Sequence, residues 1–430
     1  MTMFDEILPN IALVLKSEAI VSQFPWIVIN RDLMGKVRLV LPEKVPAIQD
    51  YRNAAAGLYN QIAAKIGPHA YPADRGIIYE KTLKDARHGT RESQLEGHSN
   101  VWLIDRLATE CQWETISTES GDAPRIVYFS IKGGVGRSTA LAAGAWSFAK
   151  QGKSVLVLDL DLESPGLSST LLSQERQPKY GITDWLVEDL VDNGDAVLND
   201  LHATSDLQAP GKITLIPAHG RDPGEYISKL GRVWMSKPSA SLDAPEFWSA
   251  RLRRLVDKLE EKHKPDVILI DSRAGIDEVA AACVTELGAN IILLFAIDSQ
   301  QTWTGYRALL KHWKQRGVIS LVRERLQLIA GLVPDDDRRE AYLSELRAES
   351  HTLFMDVYDA IPPGEVEGWN FEEDDETAPH APIQIRWNRG WFGMNSLRQR
   401  IAQVDETDVK LVFGKFLDFL DRAVNRDNPS

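Results

Sequence analysis

Residues Ser130-Ile131-Lys132-Gly133-Gly134-Val135-Gly136-Arg137-Ser138-Thr139 place three glycines among two cations and several hydroxyls. A run of that composition is suited to holding an anion. Gly133, Gly134 and Gly136 admit backbone conformations closed to other residues. Without side chains in the way, successive main-chain N–H groups converge as a concave nest on a phosphate. Ser138 follows with a hydroxyl that can serve Mg²⁺. Two further segments end in carboxylates after apolar runs. Val155-Leu156-Val157-Leu158 leads into Asp159-Leu160-Asp161, and Asp266-Val267-Ile268-Leu269-Ile270 leads into Asp271. Phosphoryl transfer needs charge neutralisation, a divalent cation and a positioned water, so a phosphate loop with such carboxylates supplies its parts. Taken singly, Asp159 and Asp161 also suit ordinary cap or turn positions.

The elements around the glycines must put them where an anion binds. Arg125 to Ser130 is β-rich, and Ser138 to Ala143 opens an alanine-rich helical pattern. Strand, loop and helix in that order seat phosphates at a helix N-terminus, where unpaired N–H groups and the positive dipole end favour negative charge. The general loop pattern G-x-x-x-x-G-K-[ST] is met except at two positions, where Ile131 stands for the first glycine and Arg137 for the lysine.

Lys132 with Gly133-Gly134-Val135-Gly136 resembles the deviant Walker A motif, K-G-G-x-G-K-[ST], of the ParA/MinD-type ATPases. Val155 to Gly166 resembles that family's D-x-D signature, and Asp271-Ser272-Arg273-Ala274-Gly275 its Walker B strand end, D-x-x-A-G. The resemblance runs over residues 124 to 334, and is closest to the variant subgroup marked by KGGVGR. It implies that Gly133, Gly134, Val135, Gly136, Arg137, Ser138 and Thr139 bind ATP, with Thr139 near the α-phosphate. It implies that Ser138, Asp159 and Asp271 serve Mg²⁺, and that Asp161 orients or activates the attacking water. Gly275 would move with the γ-phosphate. Lys132 would reach the nucleotide of a second subunit, which makes a homodimer closed through the nucleotide face. Arg137 brings a planar, forked guanidinium in place of a compact ammonium. It can still bind phosphate, but a misplaced donor slows chemistry. The expectation is retained ATP binding with slow or partner-stimulated hydrolysis.

The 430 residues and 43% hydrophobic content allow two or three domains. From residue 125 strands and helices alternate, which predicts an α/β fold: a mostly parallel sheet with helices on both faces, its strands at 125–130, 154–159, 212–217, 266–271, 290–297 and 326–333. Residues 1–120 read as a small N-terminal α+β domain that binds an unknown protein partner or regulates. Its helices are expected over Phe4–Ile20, Ile48–Ile66 and Val101–Trp113, and its strands over Trp26–Asn30 and Lys36–Leu41. Residues 121–430 form the ATPase domain, with a long loop insertion around 360–395 that holds Glu372 to Glu376, and a last helix over Thr407–Val424. With only Cys111 and Cys283, neither a disulfide framework nor a cysteine-rich metal site is expected. Apolar runs have core-strand length and no membrane segment is seen, so the chain is expected in the cytoplasm. The net charge of −13 disfavours DNA as a partner, and the basic run Arg251-Leu252-Arg253-Arg254 reads as a solvated helix face. The histidines show no ligand spacing. The competing function is a non-hydrolysing nucleotide-binding adaptor in a multi-protein system, antiviral defence among them. A phosphotransferase like the bacterial tyrosine kinases lacks its tyrosine-rich tail here, since no tyrosine follows Val404.

Overall fold

A computed structural model describes residues 2–87, 93–95, 97–106, 113–238, 245–361, 368–388 and 406–425. It divides into two compact units. The first is Met1–Glu114 with Pro238–Glu246 and Gln315–Gly317; the second is Thr115–Lys237, Phe247–Lys314 and Val318–Ser430.

The first unit carries α1 (Ile7–Ser17), β1 (Ile27–Arg31), β2 (Val37–Pro42), α2 (Tyr51–Ile66), β3 (Ile77–Glu80), α3 (Leu83–Arg87), β4 (Ser93–Gln94) and β5 (Val101–Asp105). Its sheet runs β3-β2-β1-β5-β4, with β1 parallel to β5 and antiparallel to β2. Ile11, Ile27, Leu39, Ile62 and Leu103 belong to one buried apolar cluster, which gives this unit its own core. The helix expected over Val101–Trp113 is instead strand β5 at Val101–Asp105, and residues 107–112 lie outside the described residues. The cause is burial on both faces. Val101 and Leu103 join one cluster and Ile104 another, so the run lacks the alternation that marks a strand and resembles a buried helix segment until β1 pairs with it.

The second unit follows as β6 (Arg125–Ser130), α4 (Arg137–Lys150), β7 (Ser154–Asp159), α5 (Leu167–Leu171), α6 (Ile182–Asp189), α7 (Gly194–Val197), β8 (Ala203–Thr204), β9 (Lys212–Ile216), α8 (Tyr226–Val233), α9 (Trp248–His263), β10 (Val267–Ala274), α10 (Glu278–Ala281), β11 (Ile291–Ala296), α11 (Gln300–Gln315), β12 (Leu326–Val333), α12 (Arg339–Met355), β13 (Ile383–Arg386) and a final helix, Glu406–Val424. Its eight strands are ordered β13-β12-β11-β6-β10-β7-β9-β8. All pair in parallel except the short edge strand β8. Central β6 is buried along its whole length, as expected of a strand covered on both faces. From β6 the chain steps to β7, and later crosses from β10 to β11 on the other side of β6. Open α/β sheets bind ligands at such a reversal, beyond the carboxyl ends of the strands.

Two expectations change here. Strand β13 lies inside the segment expected to be a long irregular insertion. It pairs in parallel with β12, and its Ile385 joins the cluster that holds Val412 and Phe416 of the final helix. Pro379 and Pro382 just before it disguised it, although proline is tolerated beside an edge strand. The run Arg251 to Arg254 is not a solvated face. Arg251 is fully buried, donating from Nε to Asp189 at 2.8 Å, and Arg254 donates to both Asp189 oxygens at 3.1 and 2.9 Å. Arg253 donates to Ser117 Oγ at 2.7 Å. These cations hold α9 to α6 and to the chain before β6. Arg386 of β13 faces Asp335 at 3.8 Å.

His263 at the end of α9 meets His202 edge to face, ring centroids 4.4 Å apart. Burial, then His202 and Lys212 and Lys262, push His263 down to about 4. Its folded value lies below the ordinary 6.5, so between these values the unfolded chain binds more protons and stability rises with pH. Urea midpoints are expected to climb from pH 4 to pH 6.5, and His263→Gln should shrink that climb; an unchanged climb would remove His263 as its source.

Candidate functional site

The loop between β6 and α4 takes its shape from two glycines. Gly134 (φ +75°) and Gly136 (φ +87°) occupy the left-handed region, whereas Gly133 does not use it. Gly133 and Gly134 are exposed and Val135 is buried. The two departures from the general loop pattern have local partners. Ile131 packs on α11, where a side chain at Gly305 would lie 2.4 Å from it. Arg137, the first residue of α4, turns inward and is 7% exposed.

That inward turn brings Arg137 onto the carboxylates. Its Nε donates to Asp271 Oδ1 at 2.9 Å, one terminal nitrogen donates to Ser130 Oγ at 2.8 Å, and the other reaches Asp161 Oδ2 at 3.4 Å. Sheet register places the acids side by side. Asp271 of β10 is the direct partner of Asp159 of β7, and adjacent residues in register project from the same face. Asp161 follows two residues later and accepts from Ser164 N at 3.3 Å.

Burial separates the behaviour of these groups. Asp159 is 1% exposed; burial, then Asp271 and Asp161, hold its carboxyl well above the usual carboxylate range. One oxygen accepts from Leu167 N at 3.2 Å, and Oδ1 has no hydrogen-bond partner. Asp161 is also raised, by burial first, with Arg137 opposing. The Arg137 guanidinium thus meets two of these three acids directly, Asp271 and Asp161.

Three further residues act on this site without having been singled out in the sequence. Arg273 pairs with Glu163 at 2.6 Å and Asp277 at 3.3 Å, which ties the turn after Asp161 to the segment after β10. Within that segment Gly275 has φ +104°, and its N–H donates to Ser130 O at 2.9 Å. Tyr226 of α8 donates to Leu162 O at 2.6 Å, holding the same turn from another side. Gly331 of β12 lies so close to the loop that a Cβ there would stand 2.4 Å from Val135 O. Leu332, next to it, holds an uncommon φ of +51°. Only the carboxyl-end placement of these segments hinted at such residues. Lys132, Ser138 and Thr139 are partly exposed on the loop and the start of α4.

Residues 126–419 match the CobQ/CobB/MinD/ParA nucleotide-binding domain, CbiA. The chain belongs to that family. Among curated members, the chain is 31% identical over 177 residues to the chloroplastic septum site-determining protein minD homolog of Arabidopsis thaliana, covering 40% of this chain and 46% of that protein. It is 40% identical over 159 residues to the septum site-determining protein MinD of Buchnera aphidicola, covering 37% and 48%. It thus spans about half the length of these relatives. The MinC:MinD cell division protein complex of Aquifex aeolicus aligns over 72% of this chain and 97% of that one, with 19% identity and a TM-score of 0.42. No helix among the described residues is long and apolar enough to cross a membrane.

The tight approach of Gly331 generates a test for this CbiA-family domain. Gly331→Ala must displace the Val135 backbone and is expected to weaken ATP binding about tenfold or more, ~1.4 kcal/mol, with thermal unfolding still cooperative. Calorimetric titration checks it; unchanged affinity would show that β12 does not shape the loop.

Proposed function

We propose that the chain is a Mg-ATP-binding, nucleotide-switched ATPase of the deviant Walker A, KGGVGR type, which dimerises on ATP and controls a partner protein. The observation that carries this reading is the meeting of Asp159, Asp161 and Asp271 with Arg137 beneath the glycine loop, at the carboxyl edge of the sheet. Gly133 to Thr139 seat the triphosphate, and backbone N–H groups at the start of α4 face its charge. Asp161 accepts a hydrogen bond from the attacking water. Lys132 reaches the nucleotide of a second copy closed face to face.

The donor set supports magnesium. Ser138, Asp159 and Asp271 offer hard oxygens, and the orphaned, buried Asp159 Oδ1 suits a cation nearby. Among the described residues no trio of His, Cys, Asp or Glu forms a metal cage alone. That agrees with Mg²⁺, which is bound through one or two carboxylates together with substrate phosphates and water. When bound, the ion neutralises charge on the β- and γ-phosphates.

Residues 1–120, with their separate apolar core, are the proposed partner-binding or regulatory module. The internal pairing of Arg251 and Arg254 adds to the net charge of −13 as support against a DNA role. We place the chain in the cytoplasm, where its buried free thiol Cys283 needs no oxidising compartment.

Hydrolysis is expected to be slow because all three guanidinium nitrogens of Arg137 are engaged by protein oxygens. Losing one aligned donor costs on the order of 10²–10³ in rate. The same observation favours a second reading, a non-hydrolysing nucleotide-binding adaptor. Light scattering after gel filtration should move Asp161→Ala with ATP and Mg²⁺ to the mass of a dimer; a monomer for both this variant and the unmodified chain rejects the switch. Single-turnover assays with γ-labelled ATP then separate the readings. Phosphate released at below about 1 per second identifies the ATPase, and none over hours identifies the adaptor.

A further inference from the structure

We infer that Arg137 is a positioning residue that acts as a latch on Asp271 and Asp161, and that the triphosphate has to compete with these two acids for its guanidinium. The inference rests on the nucleotide-binding reading above and concerns how that site opens.

The geometry of the guanidinium carries it. Nε, at the inner end of the planar group, is the atom that meets Asp271, and both terminal nitrogens are turned to Ser130 Oγ and Asp161. A side chain waiting for phosphate would keep its terminal fork open toward the glycine loop, because bidentate phosphate recognition uses two parallel N–H groups. Here each terminal nitrogen already donates to a protein oxygen. Arg137 and Asp271 are both nearly inaccessible, 8% and 2% at the side chain, and the contact with Asp161 is at 19%. Solvent therefore screens the Asp271 contact little, and breaking a buried pair from one side leaves an uncompensated charge. A lysine at this position offers one point charge and cannot bridge two acids and a hydroxyl in fixed geometry.

The latch links two events. While Arg137 sits on the acids, it neutralises part of the charge that would repel phosphate, yet three of its five N–H groups are already taken by protein oxygens. When a triphosphate draws the guanidinium away, Asp271 and Asp161 are exposed together, beside Asp159 with its orphaned oxygen. Carboxylates serving metal and water are thereby uncovered only once phosphate is present.

A double-mutant cycle on ATP binding in metal-free buffer tests this, using Asp271→Asn in the Arg137 chain and in an Arg137→Lys chain, with fluorescently labelled ATP as the probe. Releasing the latch should tighten binding about tenfold or more in the Arg137 chain and less than about threefold in the lysine chain, a coupling within the range measured for residues in contact. Equal factors in both chains would reduce the effect to charge repulsion and overturn the latch, as would weaker binding of Asp271→Asn in the Arg137 chain. Should Asp271→Asn fail to fold, Asp161→Asn serves in the same cycle, with the same direction and the same overturning result. No ATP binding by any of the chains would overturn the nucleotide reading together with the latch, whereas binding with equal factors removes the latch alone.

Discussion

One guanidinium organises the site: that of Arg137, held between Asp271, Asp161 and Ser130. Four elements meet at that group. Ser130 ends β6, Asp271 lies toward the end of β10, Asp161 follows β7, and Arg137 itself begins α4. Parallel pairing of β10 with both β6 and β7 brings the acids into register, but register alone would assemble like charges in a buried place. Their self-energy there is large. The guanidinium makes that assembly tolerable, while burial first, then Asp271 and Asp161, keep the Asp159 carboxyl raised.

The rest of the unit holds this arrangement still. Helix α4 is buried on almost every side, and its small residues let it lie close to the sheet: a Cβ at Gly144 would approach Tyr128 Oη at 2.9 Å. Gly331 and Gly305 play the same part beside the loop, admitting Val135 and Ile131. Close packing transmits position, since interiors near crystal density leave little room for slack. The turn after Asp161 is fixed differently, by polar ties from Arg273 and Tyr226. Such ties break and re-form more readily than packing does, so the turn after Asp161 is held by ion pairs and hydrogen bonds while the glycine loop is wedged by close packing.

Much of this was legible in the sequence, and the gaps have physical causes. The six strands expected from residue 125 onward correspond to β6, β7, β9, β10, β11 and β12, because buried parallel strands are continuous apolar runs ending at turns. Strand β13 was hidden, being only four residues long and preceded by Pro379 and Pro382. Helix and strand were confused over Val101–Asp105 because burial on both faces erases the alternation that distinguishes them. Family membership was legible because a glycine loop and strand-end acids recur at fixed places in order. Arg273, Tyr226 and Gly331 were not, since their importance arises only from neighbours far away in sequence.

The direction in which Arg137 points lay beyond any motif. A pattern match assigns the position to phosphate, yet the guanidinium turns to the charges of Asp271 and Asp161. Arginine suits this dual allegiance better than lysine. Its charge is spread over a plane with five donors and it stays ionised even when buried, so it can satisfy several acids at once without losing its proton. The substitution that marks this loop therefore does more than weaken a phosphate contact. It joins the state of the phosphate site to the state of the acids below it through a single side chain that cannot serve both fully at the same time.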